Sequence, residues 1–219
     1  MTSSAAPEIK ICGITRLEDA EATAEAGADY LGVILAASGP RQVTAAQAAE
    51  LLAGLPIRRV GVFVDAPPER IRADAEETEL DVVQLHGKET PELAASLRRS
   101  GREVWKAVHP RTEAEFLSAI ARFTGAADAL LLDGWNPAAA GGTGTRFPWS
   151  EIGEGRAAMP DSLRLIAAGG LTADNVAEAI ERVRPQVVDV SSGVESSPGH
   201  KDAARVRRFI AAARGFASS

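Results

Sequence analysis

The chain has 219 residues, 45% of them hydrophobic and 25% charged, with a formal net charge of −6. That balance fits one large domain with a substantial core. It excludes nucleic-acid binding by bulk positive charge, since the densest basic cluster, Arg205, Arg207 and Arg208, reads as one solvated helix face.

Residues 1–7 lack the basic and apolar regions of a signal peptide and read as a flexible lead-in. No apolar run approaches the roughly 20 residues that span a bilayer, so no membrane partner and a cytoplasmic location are expected. One cysteine, Cys12, leaves no internal disulfide.

From residue 8 onward one pattern repeats: an apolar run, a turn, then an alanine-rich stretch at helical spacing. Strands are predicted at Glu8–Cys12, Tyr30–Leu35, Arg59–Val64, Val82–Leu85, Val104–Val108, Ala129–Asp133, Leu163–Ala168 and Val187–Ser191. Helices are predicted near 17–26, 44–53, 68–77, 90–99, 113–122, 149–154, 173–183 and 201–213. Thr44, Thr90, Thr112 and Thr172 stand at N-cap positions, and Gly27, Gly54 and Gly101 just past helix ends.

Strict alternation of eight strands and helices implies a parallel sheet. Units of about 25–30 residues match a compact single-domain (β/α)8 TIM barrel over residues 8–214, with a flexible tail at 215–219. A doubly wound open sheet would normally have fewer strands, and no Gly-rich dinucleotide fingerprint follows the first strand.

In a TIM barrel the chemistry sits at the C-terminal ends of the strands. Cys12 ends the first strand, where alternation turns Ile9 and Ile11 toward the helices and Lys10 and Cys12 into the barrel. Asp133 ends the sixth strand, where burial would raise its pKa and suit it to donate a proton. Arg41, in the loop after the second strand, offers a guanidinium suited to a carboxylate. His86 ends the fourth strand. Lys10 and Asp189 both point inward by parity, so they are expected to neutralise each other or orient ligand groups.

Three glycine turns suit a phosphate, because glycine lets the backbone come close. They are Gly142-Thr143-Gly144, Gly169-Gly170 and Ser191-Ser192-Gly193. The three histidines and one cysteine show no ligand spacing, so no metal is expected.

Taken together, Lys10-Ile11-Cys12-Gly13-Ile14-Thr15, Gln84-Leu85-His86-Gly87, Leu131-Leu132-Asp133, Gly141-Gly142-Thr143-Gly144 and Val188-Asp189-Val190-Ser191-Ser192-Gly193 resemble the phosphoribosylanthranilate isomerase family, from about residue 8 to 214. The resemblance implies a cofactor-independent Amadori rearrangement of N-(5-phosphoribosyl)anthranilate in tryptophan biosynthesis. It also implies Asp133 as general acid, Cys12 as general base, Arg41 facing the anthranilate carboxylate, His86 and Asp189 touching substrate, and the glycine turns holding the phosphate. Family members occur as monomers or homodimers. Here Gly39-Pro40-Arg41 stands where the family usually shows Ser-Pro-Arg, and Pro148 where an aspartate is common. The alternatives are a related barrel isomerase acting on another phosphoribosyl amine and a non-catalytic phosphate-binding barrel.

Overall fold

The computed structural model describes residues 6–134 and 153–215. Eight parallel strands close into a barrel in sequence order: β1 (Glu8–Cys12), β2 (Tyr30–Ala36), β3 (Arg58–Phe63), β4 (Val82–Leu85), β5 (Glu103–Val108), β6 (Ala129–Leu132), β7 (Arg164–Ala167) and β8 (Val187–Val190). Helices α1 (Leu17–Glu25), α2 (Ala45–Leu52), α3 (Pro68–Glu77), α4 (Pro91–Arg98), α5 (Glu113–Phe123), α6 (Gly153–Ala157), α7 (Val176–Val183) and α8 (Ala203–Gly215) follow the strands.

The period of two along each strand sorts the core into two compartments. Ile9, Ile11, Leu31, Val33, Val83, Leu85, Leu130, Leu132 and Val188 face the helices. Tyr30, Val60, Val82, Trp105, Ala129, Leu131, Ile166 and Val187 fill the barrel interior. Strand register places Lys10 level with Tyr30 on one side and Asp189 on the other, so these three point inward together.

The N-terminal end of the barrel is closed by charge. Arg164 pairs with Glu8 and Glu103 and donates to the Tyr30 hydroxyl. Trp105 Nε1 donates to Glu103 at 2.6 Å, and Arg58 stacks 3.7 Å from the Tyr30 ring centre. Among the described residues the interior is therefore a packed plug below, with a cavity at the C-terminal ends of the strands.

Thr44, Thr90 and Thr112 cap α2, α4 and α5 by accepting from the backbone three residues on. Thr172 does not cap α7. It accepts from Asp174 N–H within a turn, and the helix begins only at Val176. The sixth helix is described over Gly153–Ala157 and so ends past the predicted 154; residues 149–152 lie outside the described residues. The last helix also starts late, because Glu195–Ser197 (β9) and His200–Lys201 (β10) first pair antiparallel. That hairpin brings Lys201 under the barrel mouth instead of onto α8.

Candidate active site

At the C-terminal end of the barrel a cavity of about 300 Å³ is lined by Cys12, Arg41, Gln84, His86, Asp133 and Asp189, among others. The turns Ala168–Leu171 and Ser191–Gly193 form another part of its wall. Two wider grooves, of about 660 and 830 Å³, lie toward the opposite end and are bordered by charges that pair with each other, Arg59 with Glu79 and Arg98 with Asp128. Neither brings together a thiol, a carboxylate and an imidazole.

Cys12 is 7% exposed. Burial pushes its thiol up, and the neighbouring Lys10 ammonium works against that rise by stabilising a thiolate. Lys10, fully buried, places Nζ 2.7 Å from Asp189 Oδ2. This is the neutralising pair expected from parity. Asp189 Oδ1 is buried with no partner among the described residues, an acceptor with capacity to spare. Gly32, level with Cys12 on β2, makes room for both side chains: a Cβ there would stand 2.9 Å from the sulfur and 3.0 Å from Lys10 Cε.

Asp133 Oδ2 lies 3.0 Å from His86 Nε2. His86 Nδ1 in turn lies 2.9 Å from the Gln84 amide nitrogen. An amide N–H donated to Nδ1 leaves the imidazole proton on Nε2, where it donates to the Asp133 carboxylate. Gln84 is buried, and its Oε1 has no partner among the described residues. The fold also brings two histidines together that the sequence disperses. His109, just past β5, meets the His86 ring edge to face at 5.6 Å; the residue is exposed, but partial desolvation of the ring lowers its pKa.

Arg41 binds Glu195 through two hydrogen bonds, Nε to Oε1 at 2.8 Å and Nη2 to Oε2 at 2.7 Å. Its side chain, 28% exposed, keeps a face on the cavity. Lys201 Nζ donates to Glu195 at 2.9 Å and to the Ser191 carbonyl at 3.2 Å. Burial alone would raise the Glu195 pKa, but hydrogen bonds from Arg41 and Lys201 outweigh it and hold the group at about 2.

Gly169 and Gly170 both adopt positive φ, 82° and 69°. At Gly169 a side chain is also excluded by space, because a Cβ would overlap the backbone of Gly134 beside Asp133. Asn175 Nδ2 donates to the Gly170 carbonyl at 3.0 Å and pins this turn. The predicted turn at Gly142, Thr143 and Gly144 lies outside the described residues.

A family model for N-(5'-phosphoribosyl)anthranilate (PRA) isomerase matches residues 9–212. The chain belongs to that family. It is 49% identical to the N-(5'-phosphoribosyl)anthranilate isomerase of Geobacter sulfurreducens, over 95% of this chain and 98% of that one. Against the Thiobacillus denitrificans isomerase the identity is 45%, covering 95% and 98%. Among solved structures, phosphoribosyl anthranilate isomerase from Thermotoga maritima superposes with a TM-score of 0.86 at 39% identity, covering 95% of this chain and 99% of that one. A phosphoribosyl anthranilate isomerase in complex with reduced 1-(o-carboxyphenylamino)-1-deoxyribulose 5-phosphate gives 0.83 at 37%, with the same coverage.

Family motifs point to Cys12, His86 and Asp133 but leave their supports unnamed. Gln84 carries a signal in the sequence, since a polar residue at inward parity within Val82-Val83-Gln84-Leu85 must be held by something. Glu195 carries no signal of its pairing, because its partner Arg41 is remote in the chain, and Lys201 enters the site only through Glu195 and the Ser191 carbonyl.

Proposed function

We propose that Cys12 and Asp133 are the base and acid of an Amadori rearrangement that turns N-(5'-phosphoribosyl)anthranilate into 1-(2-carboxyphenylamino)-1-deoxyribulose 5-phosphate, the isomerase step of tryptophan biosynthesis. Asp133 gives its proton to the ribose ring oxygen as the bond from C1 to that oxygen breaks, leaving a Schiff base between C1 and the anthranilate nitrogen. Cys12 thiolate then removes the proton from C2. The electron pair shifts toward nitrogen and gives an enolamine, which tautomerises to the 2-ketone. Electrons move only within the substrate, so no redox cofactor is required.

The observation that carries this reading is the shared cavity. The thiol ends β1 and the carboxylate follows β6, three strands apart around the ring, so a sugar between them meets the base and the acid from different sides. Each transfer is worth about 10²–10⁴ in rate. Lys10 favours the thiolate that the base must be. His86 is placed to orient Asp133 and to hold its charge after the proton has left. Asp189 Oδ1 takes a ribose hydroxyl, and the Arg41 face turned away from Glu195 takes the anthranilate carboxylate. The phosphate is assigned to Gly169, Gly170, Ser191, Ser192 and Gly193, with Gly142, Thr143 and Gly144 completing its seat. Binding it away from the reacting carbons lets remote binding energy position them.

The test is turnover of substrate generated in situ, followed by loss of its anthranilate-type fluorescence. Asp133→Asn abolishes the signal change and Cys12→Ala lowers the rate by about 10²–10⁴. Wild-type rates in either variant would refute the assignment of that residue.

A further inference from the structure

Among the described residues one set of ligating atoms, His86, His109 and Asp133, includes the proposed acid together with a histidine that the mechanism does not use. One nitrogen from each ring and one carboxylate oxygen all lie within 4.8 Å of one another. They come from the ends of three adjacent strands, β4, β5 and β6, so the barrel itself holds them together. His109 plays no part in the proton transfers proposed above.

We propose that these three side chains form a binding site for a borderline divalent transition metal, Zn²⁺ being the reference ion, and that occupancy blocks the isomerase by capturing Asp133. Two imidazoles and one carboxylate suit Zn²⁺, Co²⁺ or Ni²⁺ better than Mg²⁺ or Ca²⁺, which prefer all-oxygen shells. Bonds of about 2.0–2.1 Å in a tetrahedron space the ligand atoms about 3.3 Å apart. The His86–Asp133 pair, at 3.0 Å, is already close to that spacing. The exposed His109 closes the remainder by side-chain rotation.

A second observation points the same way. A histidine that binds metal through Nε2 carries its proton on Nδ1 and needs an acceptor there. The group beside His86 Nδ1 is the Gln84 amide, 1% exposed, whose Oε1 has no partner among the described residues. Turning that amide over presents Oε1 to Nδ1–H and frees Nε2 to ligate. Amide orientation is a choice of hydrogen-bond network, so the turn is small in structural terms. The site thus has its outer partner in place, a buried side chain of the cavity wall with an acceptor to spare.

The experiment titrates metal-free protein with Co²⁺, read by its visible d–d absorption, and with Zn²⁺, read by calorimetry and by inhibition of turnover. Wild type is expected to take one ion per chain with micromolar or tighter affinity. His109→Asn binds at least about tenfold more weakly and keeps wild-type turnover in metal-free buffer, and Gln84→Leu weakens binding by about 10–100-fold. Equal affinity in wild type and His109→Asn overturns the proposal. So does loss of binding in Cys12→Ser, which would place the ion on the thiol, or no binding at millimolar metal. Inhibition rests on the proposed role of Asp133, whereas the binding arms do not. Binding without inhibition would therefore refute the blockade while leaving the ligand set intact.

Discussion

Arg41 lies over Gly13 and holds both carboxylate oxygens of Glu195, 154 residues further along the chain. The fork fastens the loop after β2 to the segment after β8, and Lys201 adds a third strand-end contact through the Ser191 carbonyl. Arg41 therefore presents its remaining face to the cavity from a fixed position. A lysine could not bond both oxygens in this way.

Removing the fork should separate binding from chemistry. In Glu195→Gln the guanidinium is free to swing and Lys201 loses its counter-charge in a buried setting. The expected result is a KM at least about tenfold higher with kcat changed less, as for an interaction used equally in ground and transition states. Steady-state kinetics on the same fluorescence assay checks it, and an unchanged KM would mean that Arg41 does not meet the substrate.

Glu195 also sets a pH signature. Its folded-state pKa of about 2 lies below the ordinary 4.5, so it contributes stability that is fully present above about pH 5. As pH falls from there toward 2 the unfolded chain takes up the proton first and that contribution is lost. With Arg41 partly exposed the amount is on the order of 2 kcal/mol. Denaturant midpoints measured from pH 6 down to pH 3 should decline more steeply in wild type than in Glu195→Gln.

The eight strands were legible because each is a single apolar run whose alternate residues face one compartment, as Ile9 and Ile11 against Lys10 and Cys12 show. The inward placement of Cys12 and the Lys10–Asp189 pair followed from that parity, and the position of Asp133 at the barrel mouth from the rule that strand ends carry chemistry. Contacts made by closure of the barrel were not legible. His86 and His109 are 23 residues apart in the numbering and share a site only because β4 and β5 are adjacent. Glu195 meets Arg41 only because β8 closes onto β1, and the β9–β10 hairpin that delivers Lys201 is too short to stand out from a helix start. Thr172 failed as a cap for a local reason: its side chain closes a turn, and Asn175 Oδ1 accepts from its backbone N–H.

Lys10 is expected to have two separable roles. In Lys10→Met, Asp189 becomes an uncompensated buried charge, which costs about 3–5 kcal/mol. Lys10→Met combined with Asp189→Asn should recover most of that loss, since both charges are then gone. The thiol responds differently: without Lys10 only the smaller pull of Lys201 offsets its burial, so its pKa rises in Lys10→Met, and rises less in the double variant, where the Asp189 charge is gone as well. The midpoint of iodoacetamide alkylation of Cys12 against pH reports this. A midpoint unmoved by Lys10→Met would refute the electrostatic role.

Gly32 tests whether the space over β2 matters to the chemistry. A Cβ there would press on Cys12 Sγ and Lys10 Cε, both held in a packed wall. Gly32→Ala should cost about 1–3 kcal/mol by overpacking. Its larger effect falls on kcat, because a base displaced by even a fraction of an ångström loses its line to C2. A drop of at least about tenfold in kcat with circular dichroism unchanged is expected. Full activity would show that the thiol has room to move.

The two ends of the barrel should respond independently. Arg164, at the closed end, pairs with Glu8 and Glu103 and donates to Tyr30, while every proposed catalytic group lies at the other end. Its charges are partly exposed, so their loss is not as severe as that of a fully buried pair. Arg164→Met is expected to lower stability by about 1–3 kcal/mol, because Glu8 and Glu103 lose their shared counter-charge and the Tyr30 hydroxyl loses a donor. The packed layer of Tyr30, Trp105, Leu131 and Ile166 stands between this network and the cavity. With that layer intact, kcat and KM should stay within about twofold of wild type at temperatures where the variant is folded. Thermal melts run beside the activity assay decide the matter: a kcat loss as large as that in Cys12→Ala would mean that the plug transmits strain to the site.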